Sequence, residues 1–338
     1  MTDAAWRTPD AGLLRAYQLV LLTRTVDERL WALSRQGRAG FVLTARGHEV
    51  AQIGSALALE AGRDWAWPYY RDLGVGLSLG VTPFEIFLGA LAKGDDPHSG
   101  GRQLTAHFSD PERRIGSISS EVAGHVTHAV GSAYASRVLG DDSVAVCWFG
   151  DGASSEGAVH EAMNVAAVAG LPVVFFCENN GYAISVPLSL QMAAPVAARA
   201  AGYGFPGLTV DGTDIDAVNA TTSAAVSRAR SGGGPSLIEA VVPRLVPHSS
   251  QDDEKYRSDE DRAEAAERDP LPRLEKYLMA RGLLDEAGVT RAQRAAREQV
   301  QSDLERALAA PDPEPERARR WLYAGDAPFG PAPKGAIP

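Results

Sequence analysis

Two apolar runs, Val144 to Phe149 and Leu171 to Cys177, show no polar alternation, and each stops abruptly at a small polar cluster. Gly150-Asp151-Gly152 ends the first and Glu178-Asn179-Asn180 ends the second. Runs this short without alternation read as strands buried on both faces, the habit of a parallel sheet covered by helices. Around them strands and helices alternate. Strand Ser143–Phe149, helix Ser155–Ala169, strand Pro172–Cys177 and helix Ala193–Ala201 are followed by strand Leu208–Val210, helix Ile215–Ser231 and strand Ser236–Val242. This order predicts βαβ units and an α/β fold: a doubly wound parallel sheet with helices on both faces.

The flanks are helical. Leu14, Tyr17, Leu21, Leu30 and Leu33 recur at helical spacing over 11–36 behind Asp10, an expected N-cap. A glycine-marked loop, 37–47, leads to a helix over 48–60, and Trp65 to Asp72 reads as a strand running into a loop. Thr82, Pro83 and Glu85 spell a capping box for a helix reaching Lys93. A loop follows over 94–110, of a length usually tied to function or disorder, and then a helix over 120–139. The expected division is an N-terminal helical extension over 1–36, an α/β domain over 37–250, a charged helical region over 251–325 and a Pro/Gly/Ala-rich tail over 326–338.

Ligands of parallel sheets bind beyond the carboxyl ends of the strands, where the following helices point their N-termini. Gly150, Gly152 and Ala153 therefore face an anion, and the N–H groups of Gly152 and Ala153 suit a phosphate. Asp151 would repel it. A divalent cation held by Asp151 and Asn180, and bridging phosphate oxygens, resolves the conflict, and Mg²⁺ favours such an oxygen-rich, partly ligand-supplied shell. The 29-residue separation of the two fits one helix and one strand. A nicotinamide dinucleotide site is the rival reading. Its Gly-x-Gly-x-x-Gly/Ala fingerprint fails at Ser155, although Glu178 could imitate the ribose-binding acid. The plain alternative is two glycine turns with a capping Asp.

These residues, with "RQGRAGFVLTARGHE" (35–49), "YYRDLGVGLSLG" (69–80), "GGRQLTAH" (100–107), "NNGYAIS" (179–185), "VDGTD" (210–214) and "PHSSQDDEKYR" (247–257), resemble the alpha subunit of heterotetrameric 2-oxoacid dehydrogenases, from about Arg24 to Leu284. The resemblance implies the thiamine diphosphate-binding fold and thiamine diphosphate with Mg²⁺ as cofactors. Asp151, Asn180 and the carbonyl of Tyr182 would hold the metal. Tyr70, Arg71, Ser120, Val122, Gly150, Gly152, Ala153 and His248 would bind the cofactor, with His248 also in a catalytic role beside the acyl group in transit. Phe41, Tyr70, Leu104, His107 and the Ser119-Ser120 pair would line the substrate end. The segment around Phe41 looks closest to the branched-chain type.

Implied partners are a beta subunit completing the active site in an α₂β₂ heterotetramer, the lipoyl domain of an acyltransferase component, and a small 2-oxo acid. The chain is expected to be inactive alone, because the aminopyrimidine half of the cofactor site lies on the beta subunit. Three departures stand out. Leu104-Thr105 replaces the usual Met-Pro, Glu178 stands where some relatives place a phosphate-facing Arg, and "EVAGH" (121–125) lacks the Thr-Gln that binds structural potassium in some relatives, so none is expected. Ser249 aligns with a serine phosphorylated in mitochondrial relatives, and no phosphorylation is expected here. His48, His98, His125, His128 and His160 receive no role, His48 and His128 being read as packing or surface residues of helices.

Composition narrows the class further. A net charge of −10 argues against a nucleic-acid partner, the apolar runs are too short to span a membrane, and the polar start after Met1 carries no hydrophobic signal region. A cytoplasmic protein is expected, with Cys147 and Cys177 as small core residues in a reducing compartment.

Overall fold

The chain builds one five-stranded parallel sheet whose tips all end on the same edge. The computed structural model describes residues 8–319. The strands are β1 (Trp65–Trp67), β2 (Ala145–Gly150), β3 (Val173–Asn179), β6 (Gly207–Asp211) and β7 (Ser236–Val241), in the order β1-β2-β3-β7-β6. Every pairing is parallel. A two-residue pair, β4 (Tyr182–Ala183) with β5 (Val186–Pro187), forms a small hairpin after β3 that the sequence pattern did not announce. The helices are α1 (Asp10–Arg35), α2 (Glu49–Ala56), α3 (Leu73–Ser78), α4 (Pro83–Ala90), α5 (Gly124–Leu139), α6 (Gly157–Val168), α7 (Arg199–Gly202), α8 (Ile215–Arg230), α9 (Asp259–Glu267), α10 (Pro270–Ala280) and α11 (Glu286–Ala309).

The unbroken apolar character of β2 and β3 follows from burial on both faces. Ala145, Cys147, Phe149, Val173, Phe175 and Cys177 pack with α5 and α6 residues such as Val126, Ala133, Val159 and Met163. The alternate residues Val146, Trp148, Val174 and Phe176 pack on the other face with Val75, Val218 and Val226 of α3 and α8. Cys147 and Cys177 are free thiols on the first of these faces. Leu13, Tyr17, Val20, Val50, Leu274 and Leu278 close a third cluster, seating α1 and α10 against α2.

The Thr82 capping box is present: Glu85 N–H donates to Thr82 Oγ1 at 3.2 Å and Thr82 N–H to Glu85 Oε2 at 2.6 Å. Asp10 is the first helical residue of α1 rather than its cap, and Pro9 precedes it without a side-chain capping bond. The helix expected from Ser120 starts only at Gly124, because Ala123 adopts a left-handed φ of 65°. Residues 119–123 are thereby released into a loop at the strand tips. The long loop over 94–110 is folded around Asp96, whose carboxylate accepts N–H groups of His98, Ser99 and Gly101 at 3.0–3.1 Å. The expected tail over 326–338 lies outside the described residues.

Candidate active site

In the register of β2 and β3, Gly150 stands opposite Glu178. Asp151 follows Gly150 directly and Asn180 follows Glu178 by two residues, and the Asn180 N–H donates to Asp151 Oδ1 at 3.2 Å. The expectation that these two side chains sit on neighbouring strand tips is met. Asp151 is fully buried, and its carboxylate also meets Gln191 Nε2 at 3.5 Å. Burial pushes its carboxyl up, against the smaller opposing pull of the Asn180 N–H. A buried carboxylate so thinly compensated has a use for a cation. The twin asparagines separate their tasks. Asn179 is structural, donating to the buried Glu239 at 2.7 Å and accepting the Gly181 N–H at 3.0 Å. Asn180 turns its side chain to the cleft and accepts the Tyr182 N–H on Oδ1 at 3.1 Å.

A cleft of about 230 Å³ opens at these tips. Tyr70, Arg71, Val122, Gly150, Gly152, Ala153, Asn180 and His248 all line it. A side chain at Gly152 would meet the Ala183 Cβ at 2.6 Å, so glycine is what lets the β4–β5 hairpin close over the first tip. Residues 153–155 form a single 3₁₀ turn, at whose free start the amides of Gly152 and Ala153 sit.

Arg71 is buried, and the neighbouring Asp72 does not pair with it. Asp72 points inward, accepting the Tyr69 N–H at 2.8 Å. The guanidinium is held instead by neutral acceptors, the Thr44 carbonyl at 2.6 Å and His248 Nδ1 at 3.1 Å. Among the described residues it has no carboxylate partner, so a full positive charge is presented at the cleft. Since Nδ1 of His248 accepts from Arg71, Nε2 carries the ring proton and is a donor. Burial, and then the charge of Arg71, push this imidazole down to about 3, so it stays neutral near pH 7.

The remaining expected site residues lie off this wall. Asp151 is beneath it, and Tyr182 sends its hydroxyl to Asp261 at 2.9 Å under the guanidinium groups of Arg244 and Arg257. Ser120 donates to His107 Nε2 at 2.6 Å, and Ser119 takes the place on the cleft that Ser120 was expected to fill. His107 lines a separate hollow with His98 and Phe108, and Leu104 is half exposed. Phe41 is off the cleft, next to Val42, which exchanges hydrogen bonds with Ser250, a near neighbour of His248 in the chain. Sequence reasoning missed Tyr69, Glu121, His125, Glu156 and Ile184 as lining residues. The glycine of "EVAGH" was the one available signal, since it marks where the helix starts late.

Glu178 cannot serve as a ribose-binding acid. It is fully buried, and Oε2 accepts from His48 Nδ1 at 2.7 Å, Tyr69 Oη at 3.0 Å and Gln52 Nε2 at 3.2 Å. Among the described residues no N–H or hydroxyl reaches Oε1. Burial first, and then the Glu178 carboxylate, push the Asp72 carboxyl well above its ordinary range. The dinucleotide reading therefore loses its acid as well as its third glycine.

The model of the dehydrogenase E1 component family matches residues 17–316. The chain belongs to that family. It is 44% identical over 317 residues to the 2-oxoisovalerate dehydrogenase subunit alpha of Bacillus subtilis (strain 168), covering 93% of this chain and 96% of that protein. It is 42% identical over 323 residues to the 3-methyl-2-oxobutanoate dehydrogenase subunit alpha of Mycobacterium tuberculosis (strain ATCC 25618 / H37Rv), covering 94% and 84%. The mitochondrial 2-oxoisovalerate dehydrogenase subunit alpha of Homo sapiens is 38% identical over 310 residues, covering 91% and 69%.

The donors also suit a particular metal. Among the described residues no group of three or more His, Cys, Asp or Glu could hold an ion. One carboxylate and one carboxamide leave most of a shell to main chain, water and ligand oxygens, which is how Mg²⁺ binds beside phosphates. No described helix is long and apolar enough to cross a membrane.

Proposed function

We propose that this chain is the alpha subunit of a thiamine diphosphate-dependent branched-chain 2-oxoacid dehydrogenase, working in the cytoplasm within a 2-oxoacid dehydrogenase complex. The observation that carries the reading is charge: a buried carboxylate short of compensation lies beneath one small cleft at the strand tips, and a guanidinium without a carboxylate partner among the described residues lines it. A metal diphosphate supplies both missing opposites. Asp151, Asn180 and the Tyr182 carbonyl would hold Mg²⁺. Arg71, the Gly152 and Ala153 amides and the Nε2–H of His248 would bind phosphate oxygens with charge-assisted bonds. When bound, thiamine diphosphate supplies the carbanion chemistry that decarboxylates a 2-oxo acid and passes the acyl group to a lipoyl arm. This chain's share is binding, orientation and a fixed hydrogen-bond donor, with His248 placed beside the acyl group in transit.

The cleft is smaller than the roughly 300–1,000 Å³ of sites that enclose a whole ligand, which favours a second wall from a beta subunit. Unpartnered apolar side chains on α5 and α6, with Leu139 78% and Val168 84% exposed, suit an α₂β₂ assembly. The names of the relatives favour 2-oxoisovalerate over pyruvate. Calorimetry of the chain with its beta subunit should show thiamine diphosphate binding that needs Mg²⁺, and the tetramer should prefer 3-methyl-2-oxobutanoate to pyruvate. Tight NAD binding, or binding indifferent to the metal, would sink the reading; a pyruvate preference would overturn the substrate alone.

A further inference from the structure

We propose that His48 is a positioning residue for the cation site, seated on Glu178 so that its imidazole holds the Asn180 carboxamide with the oxygen, not the nitrogen, free for the metal. The inference rests on the cofactor reading above and adds a residue to which that reading gives no task.

A carboxamide torsion is broad, so one hydrogen bond leaves the group free to swing. In Asn180 both ends are tied. Oδ1 accepts the Tyr182 N–H at 3.1 Å, and Nδ2 donates to His48 Nε2 at 3.3 Å. An oxygen has a second lone pair to offer after accepting one bond, whereas a flipped amide would set two donors against each other at Tyr182. The histidine can accept at Nε2 only if its proton sits on Nδ1. Glu178 enforces that choice, because Oε2 is an acceptor on which His48 Nδ1, Tyr69 Oη and Gln52 Nε2 converge within 2.7–3.2 Å. His48 and Glu178 are both fully buried, so water does not compete for either bond. The chain of contacts therefore runs from α2 through the end of β3 to the ligand. Partners one step behind a ligand typically alter metal affinity by about 10- to 100-fold.

The test measures Mn²⁺ affinity, by electron paramagnetic resonance of the free ion, for the chain assembled with its beta subunit at saturating thiamine diphosphate. His48→Asn keeps a donor for Glu178 near the Nδ1 position but withdraws the acceptor from Asn180, and it should weaken Mn²⁺ binding about 10-fold or more. His48→Gln puts a rotatable amide in reach of Asn180 and should remain within about threefold of the unaltered protein. In an Asn180→Asp background the ligand has oxygen at both ends and needs no orienting, so His48→Asn should cost less than about twofold. Equal affinity for His48→Asn and the unaltered protein overturns the inference, and so does a His48→Asn loss of full size in the Asn180→Asp background, which would mark a general structural defect. If the unaltered assembly takes up no Mn²⁺, the cofactor reading falls and this inference falls with it.

Discussion

The expected site residues sit on two kinds of support, and the two behave differently. One is the strand tips: Gly150, Gly152 and Asn180 leave β2 and β3 in a fixed register, and Asp151 is bound to Asn180 through the backbone. Of the residues expected at the substrate end, Tyr70 lines the cleft, whereas Phe41, Leu104 and His107, borne on long loops, do not reach it. Arg71 and His248 lie between the two cases. They too follow irregular chain, yet they hold each other, His248 is tied by its N–H to Asp252, and Arg71 is tied to Thr44, whose segment Asp27 of α1 fixes through the Thr44 hydroxyl and the Ala45 N–H, both at 2.9 Å. Convergence thus depends on how many independent bonds hold a segment, and a parallel sheet supplies them before any side chain is chosen.

This contrast can be broken in four places. The largest effect belongs to Asp151→Ala, which should cost more than about 100-fold in metal-dependent thiamine diphosphate affinity, beyond what partners behind a ligand control. Calorimetry with and without Mg²⁺ would read it, and unchanged affinity would remove the strand tips from the metal site. Next, Arg71→Lys keeps the charge but gives up the fork that spans Thr44 and His248. A loss of about 1.5–3 kcal/mol in cofactor binding is expected, one charge-assisted bond or more.

A smaller effect is one of pH. The His248 imidazole is pushed down to about 3, so the unfolded chain takes up a proton there that the folded chain refuses. That contribution to stability is full above the ordinary histidine value near 6.5 and is lost as pH falls toward about 3. Urea unfolding at pH 7 and pH 5 should therefore show His248→Gln losing less stability on acidification than the unaltered protein. Smallest of all, Leu104→Ala should stay within about 0.5 kcal/mol in stability, because the side chain is 52% exposed. Cofactor affinity should change less than about twofold. A large drop in the assembled enzyme would show that the loop closes onto the cleft there, which would erase the contrast between the supports.

How legible the site was follows the same division. Asp151 and Asn180 could be paired from sequence, because two buried parallel strands joined by one helix place their tips together. Arg71 and His248 are 177 residues apart, and their hydrogen bond has no local signature. Ser119, rather than Ser120, faces the cleft because Ala123 turns left-handed just before α5, a twist set by packing. α3 and the β4–β5 hairpin went unread since "DLGVGLS" and "YAISVP" carry too few residues for a period to show. His48 looked like a packing residue of a helix. Only the position of Glu178, 130 residues away, gives its ring a direction.

By itself the sequence determined the order of strands and helices, the apolar faces that bury β2 and β3, and the polar tips that must follow, because periodicity and chain length leave few other folds. Tertiary structure alone decided the electrostatics: Asp72 turned inward, Glu178 sealed in the core, Arg71 left with neutral partners and Asp151 left short of compensation. Charge balance is a property of which distant segments share a buried volume, and no local pattern encodes it.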